Sequence, residues 1–181
     1  MVTLACVGAL AMGVTACVPS EPKPTPTPTK TAIFASEDEA LQAAVDVFQQ
    51  FSSISDLVAT EGDAEETQYL DVMTDAYYEE FISDTSLEER GWHAEGSSTF
   101  DGSELVELDQ DSDSAEVRIA VCRDFTNQKV YNEAGTDITD EERISSLIPL
   151  EITFTWTSEE SGLLMADLTS WDGSDVCSSQ S

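Results

Sequence analysis

The sequence predicts an α+β domain in which two or three N-terminal helices pack on an antiparallel sheet. Three observations carry that expectation. Between Ser36 and Phe81 the apolar residues recur at helical spacing, whereas from Trp92 onward they recur at every second position with turn residues between the runs. Helices that precede strands, rather than alternating with them, point to a layer of helices on one sheet. A length of 181 residues with 40% apolar content suits a single hydrophobic core.

The chain opens with residues 1–16, an uncharged apolar stretch too short to span a bilayer but matching a signal-peptide core. It closes on Val14-Thr15-Ala16-Cys17, which resembles the bacterial lipobox. That resemblance implies cleavage before Cys17 and lipidation of its thiol. Residues 17–35 then form a spacer: five of the six prolines fall at Pro19, Pro22, Pro24, Pro26 and Pro28, alternating with Thr. Proline fixes φ and removes backbone donors, so the spacer is expected to be a polyproline II rod. At about 3.1 Å per residue it would hold a domain roughly 35–40 Å from its anchor. Lipid on Cys17 would then fix the protein to the outer face of the bacterial cell membrane without a transmembrane helix.

The folded part is expected over residues 36–181. Ser36 and Glu39 make a capping box, and Leu41, Ala44, Val45, Phe48 and Phe51 form one apolar stripe on the first helix. Ile54, Leu57 and Val58 extend it, and Gly62-Asp63 breaks it. A second helix is expected over 64–83, with Tyr69, Leu70, Met73, Ala76, Tyr77 and Phe81 inward; Ser86–Glu89 offers a further turn before Gly91. Period-two runs follow: a short strand at Val106 and Leu108, a second at Val117, Ile119 and Val121, a third at Leu150, Ile152, Phe154 and Trp156, and a last from Leu163 to Trp171. Asn132-Glu133-Ala134-Gly135 marks a hairpin tip within the long excursion from Asn127 to Glu142. Cys6 leaves with the signal and Cys17 takes lipid, so Cys122 and Cys177 remain as an even pair in an exported domain and are expected to form a disulfide.

The order of helices then sheet resembles the cone-shaped, nuclear-transport-factor-like fold shared with ketosteroid isomerase. More narrowly, Val121-Cys122-Arg123-Asp124, then Tyr131-Asn132-Glu133-Ala134-Gly135, then a late strand ending near Cys177, resembles small actinobacterial lipoproteins of that fold. Two positions depart from their pattern, Gly162-Leu163-Leu164 at the last strand and Thr126-Asn127 after Asp124. The resemblance implies a strongly curved sheet and no catalytic residues. In that fold the wide end of the cone often holds a small apolar ligand, which makes Tyr77, Trp92, His93, Phe154 and Trp156 pocket candidates; the competing reading of each aromatic is plain core.

Charge excludes some functions. With 37 acidic and 7 basic residues the formal net charge is −30, which disfavours nucleic acid and anionic lipid and favours cationic partners. Asp109, Asp111 and Asp113 have the spacing that opens a calcium loop, but Ser114 and Ala120 stand where such a loop needs Gly and Glu; a solvated acidic turn is expected. His93 is the only histidine, which rules out a multi-histidine metal centre, and it reads as a rim residue rather than a general base. No nucleophile elbow, zinc-protease or phosphate-loop motif is present, and no cofactor or metal is expected. The leading reading is a membrane-anchored extracytoplasmic lipoprotein acting as a non-catalytic binding or interaction module, for a cationic or an apolar small-molecule ligand. The alternative is an isomerase- or hydrolase-like enzyme using the cone pocket.

Overall fold

The computed structural model describes residues 32–61, 66–83, 90–139, 147–159, 162–173 and 176–178. The expected signal segment, Cys17, the spacer up to residue 31 and the turn at Ser86–Glu89 lie outside them. Helix α1 runs Glu37–Glu61 and α2 runs Asp75–Ser83, with a 3-10 turn at Glu66–Asp71 between. The strands are β1 His93–Glu95, β2 Thr99–Gln110, β3 Ser114–Asp124, β4 Lys129–Tyr131, β5 Leu147–Thr157 and β6 Leu164–Ser170. Strands β2-β3-β5-β6 form a curved antiparallel sheet in that order, and β1 pairs with β4 in a smaller antiparallel sheet. This is the expected α+β class.

Helix α1 begins where the sequence indicates. The Ser36 hydroxyl accepts from Glu39 N–H at 3.2 Å, and the Glu39 carboxylate accepts from Ala35 N–H, one residue before the cap, at 2.6 Å. Three acids in the first turn complement the helix dipole. The buried stripe is Ala40, Ala44, Phe48 and Phe51, while Leu41 and Val45 are only half-buried at its flank. Ser52 is also buried, with its hydroxyl unpaired.

The second helical segment differs from the expected single helix over 64–83. Its described part starts as the 3-10 turn and breaks at Val72-Met73-Thr74, because these residues pair with the edge of β6. Met165 N–H donates to the Val72 carbonyl at 2.8 Å, and Thr74 N–H donates to the Met165 carbonyl at 2.9 Å. Backbone groups held by a strand edge cannot also serve a helix ladder. The Thr74 hydroxyl then accepts from Tyr77 N–H at 3.2 Å and restarts the chain as α2. Tyr69, Met73 and Tyr77 are buried as expected; Leu70 and Ala76 are exposed.

Strand β2 is longer than the expected run at Val106 and Leu108. It begins at Thr99 and passes through irregularities between Asp101 and Glu104 and between Leu105 and Glu107. Gly102 takes a φ of 63° there, a left-handed conformation that favours glycine, so a residue that reads as a turn serves a bulge instead. The hairpin tip at Asn132–Gly135 is present: Gly135 N–H donates to the Asn132 carbonyl at 2.8 Å, and Tyr131 bridges to Asp137.

The sheet has two unlike faces. On the helix side Val117 stands opposite Phe154, Ile119 opposite Ile152 and Val121 opposite Leu150, all buried against α1 and α2. On the other side a small cluster of Ala120, Cys122 and Val176, with Val106, Leu147 and Trp171 packed on it, is covered by the C-terminal tail. The Cys122–Cys177 disulfide is formed, with Cα atoms 4.9 Å apart. Gly173 lies beneath Trp171: a Cβ there would come within 2.1 Å of indole Cζ2, so the ring would have to shift. The chain enters at the opposite end of the sheet: Phe34 N–H donates to Gln110 Oε1 at 2.9 Å, and Gln110 Nε2 donates back to the Phe34 carbonyl at 3.2 Å.

The disulfide closes a 55-residue separation. Its reduction is expected to lower unfolding free energy by about 2–4 kcal/mol, measured by urea unfolding with and without a reductant. An unchanged midpoint would show that the tail is held by Val176 and Trp171 alone.

Candidate functional site

The structure does not gather the five pocket candidates around one cavity. Phe154 is fully buried opposite Val117, and Tyr77 is buried beside Phe81 with ring centroids 6.1 Å apart. Burial pushes the Tyr77 hydroxyl well above the ordinary tyrosine range, with Asp167 and Glu80 adding to the shift. Trp156 packs at the margin of the same core. Trp92 lies outside that core, half-buried, with the Arg90 guanidinium 5.3 Å from its ring centroid. His93 is exposed on the smaller sheet and stacks on its register partner Tyr131, centroids 5.5 Å apart. Phe48, Phe51, Met73, Phe154 and Met165, each at most 1% exposed, fill the space between helices and sheet.

A buried polar cluster lies where the sequence analysis placed no site. Arg123 is 7% exposed, and its position follows from alternation: it is two residues past Val121 on the helix side of β3, so the inward row of apolar residues ends in a guanidinium. A charge continuing an apolar alternation is the signal that reveals it. Arg123 Nη2 donates to the Ser98 hydroxyl at 3.0 Å and to the Ser55 hydroxyl at 3.4 Å, and Nε donates to Ser98 at 3.3 Å. Asp56 on α1 faces the guanidinium at 4.0 Å and accepts from Ser98 N–H at 2.9 Å, from Ser98 Oγ at 2.8 Å and from Gln128 Nε2 at 3.4 Å. The Phe51 and Phe125 rings lie 5.6 and 4.6 Å from the guanidinium carbon.

Burial lowers the Arg123 pKa; the Asp56 carboxylate, and then Tyr69, oppose that shift. A guanidinium nonetheless remains protonated in proteins. The Ser98 hydroxyl donates to the Asp56 carboxylate and accepts from the Arg123 guanidinium, so it links the two charges. The chemistry of this cluster is a clamp between α1, the start of β2 and the end of β3.

The acidic turn between β2 and β3 is built as the sequence indicates. Asp111 Oδ1 accepts from Asp113 N–H at 2.7 Å and from Ser114 N–H at 3.0 Å. A groove of about 370 Å³ lies beside it, lined by Asp109–Asp111, Ser114–Glu116 and Thr155–Thr157. Among the described residues no group of three or more His, Cys, Asp or Glu is arranged to hold a metal ion, and no described helix is long and apolar enough to cross a membrane.

Neither a protein-family model nor a curated protein matches the sequence. Fourteen solved chains are similar to it. One is the intermembrane-space region of the chloroplast protein ARC6, at 10% identity and a TM-score of 0.49, covering 72% of this chain and 95% of that chain. A likeness at that level carries no argument about this chain.

Truncating Asp56→Ala leaves a buried guanidinium without its carboxylate and is expected to cost about 3 kcal/mol in urea unfolding. Adding Arg123→Met, which fills the site with an apolar chain of similar length, is expected to restore part of that loss. Additive losses in the double variant would contradict the clamp.

Proposed function

We propose that the chain is an extracytoplasmic lipoprotein, anchored to the outer face of a bacterial cell membrane through Cys17, that displays a non-catalytic binding module on a Thr-Pro spacer. The anchor rests on the lipobox-like Val14-Thr15-Ala16-Cys17 and on the prolines that follow it. The kinship proposed is with small lipoproteins of the cone-shaped, nuclear-transport-factor-like fold, supported by helix-first order and a sheet bent by the β2 bulges.

The observation that carries the binding-module reading is the packed interior. A cone enzyme needs a cavity with a reactive group in it. Here the aromatic and methionine side chains occupy the space between helices and sheet, and the buried charged groups at its end are engaged with one another. Recognition then falls to the exterior, where the −30 formal charge selects cationic partners. Such binding weakens as salt rises, because exposed charges are screened over about 8 Å at physiological ionic strength.

Metabolic labelling with a fatty-acid analogue tests the anchor, and is expected to tag the wild type and not Cys17→Ser. Label retained in that variant overturns the anchored reading. Turnover of a small substrate that disappears in folded His93→Ala overturns the non-catalytic one.

A further inference from the structure

We propose that the free edge of β2 receives one β-strand of a partner protein, a strand in which basic and apolar side chains alternate; this rests on the cationic-partner reading and says where such a partner docks. Strand β2 ends the sheet order β2-β3-β5-β6, and none of its 12 residues is buried. Its neighbour β3 is buried without a break from Ile119 to Arg123. Among the described residues no backbone group outside β3 pairs with Thr99–Asp109. Asp111 N–H donates to the Ser114 carbonyl at 2.9 Å, which fixes the alternation behind it. Asp109 and Glu107 turn their backbone groups toward β3, and Leu108 turns its N–H and carbonyl outward. An edge of unpaired donors and acceptors is a template for a further strand.

The side chains of that edge select the occupant. Asp101, Glu104, Glu107 and Asp109 stand opposite Cys122, Ala120, Arg118 and Glu116, on the sheet face away from the helices. The odd spacing from Asp101 to Glu104 and from Glu104 to Glu107 would scatter these acids over both faces of a regular strand. The register shifts between Asp101 and Glu104 and between Leu105 and Glu107 each absorb one residue and bring them into a row. The same shifts keep Phe100, Leu105 and Leu108 on the helix side, each half-buried at the margin of the core. Glu107 is engaged by Arg118; among the described residues no cation lies against Asp101, Glu104 or Asp109.

A strand laid along this edge gains backbone hydrogen bonds from outward groups such as those of Leu108, and its side chains fall alternately on the two faces. Those on the outer face meet the acidic row and are accordingly Lys or Arg. Those on the helix side meet Phe100, Leu105 and Leu108 and are apolar. A second copy of β2 does not fit, because antiparallel pairing of two such edges places both acidic rows on one face. Bulges and charge thus refuse a like strand and leave the edge open to a cationic one.

The probe is a capped peptide of alternating Lys and Val, about nine residues long, added to the full chain carrying Cys17→Ser, a form that bears no lipid. Binding is expected to slow amide hydrogen exchange at Leu108 and at the other outward amides of β2, and to weaken as salt rises. The same peptide N-methylated throughout keeps its charge but loses its backbone donors, and is expected to bind more than about tenfold more weakly. Glu104→Gln combined with Asp109→Asn, both on exposed residues, is expected to weaken the parent peptide about threefold. Equal binding of the N-methylated peptide, unchanged affinity in the double variant, or protection that falls on other elements would each overturn docking at the edge and leave the cationic-partner reading in place. Absence of binding by either peptide at low salt would overturn both.

Discussion

At the Arg123 guanidinium three other parts of the chain meet β3. Ser55 and Asp56 reach it from α1, Ser98 from just before β2, and Gln128, bonded to Asp56, from just before β4. None of these segments is a sequence neighbour of another. Burial of the guanidinium opposes its charge, so Arg123 is tolerated only with its bonds made, which ties the C-terminal half of α1 to one end of the sheet. The Phe51 and Phe125 rings lie against the guanidinium at that end, 5.6 and 4.6 Å from its carbon. The helix is thereby fixed at the angle that places Phe48 edge-on to Phe100, centroids 4.8 Å apart, and Phe51 against Tyr69 and Phe81.

Two further constraints finish the sheet. Met165 on β6 is paired through its backbone with Val72 and Thr74, so one sheet edge is occupied from within the chain rather than left as a template for another molecule. On the face away from the helices, the disulfide and Val176 cover the apolar spot around Ala120 and Cys122, while the rest of that face carries pairs such as Arg118 with Glu107 and Glu151.

Residue order revealed the class of this fold more readily than its joints. Period-two alternation in β3 and β5 is strong because both strands are central and bury one face on helices, so Val117, Ile119, Ile152 and Phe154 could be placed directly. The capping box at Ser36 and the cysteine pair were legible for similarly local reasons. The break at Val72–Thr74 was not, since it depends on a strand about ninety positions later, and helical spacing continues across it. Nor was the length of β2, where Gly102 serves a bulge. The Asp56–Ser98–Arg123 cluster was missed because each member is unremarkable alone; only the inward parity of Arg123 hints at it. The aromatic candidates illustrate the converse: Tyr77, Phe154 and Trp156 share one core while Trp92 and His93 lie outside it, and composition cannot separate those cases.

The central claim is that the space between helices and sheet is packed rather than hollow. Xenon enters dry apolar cavities large enough to hold it, and its binding is read from methyl resonances. On titration of the folded protein with xenon, the methyls of Val117, Ile119, Ile152 and Met165 are expected to show only small, linear, non-saturating shifts. Saturable shifts confined to those methyls would reveal an apolar ligand cavity and contradict the account.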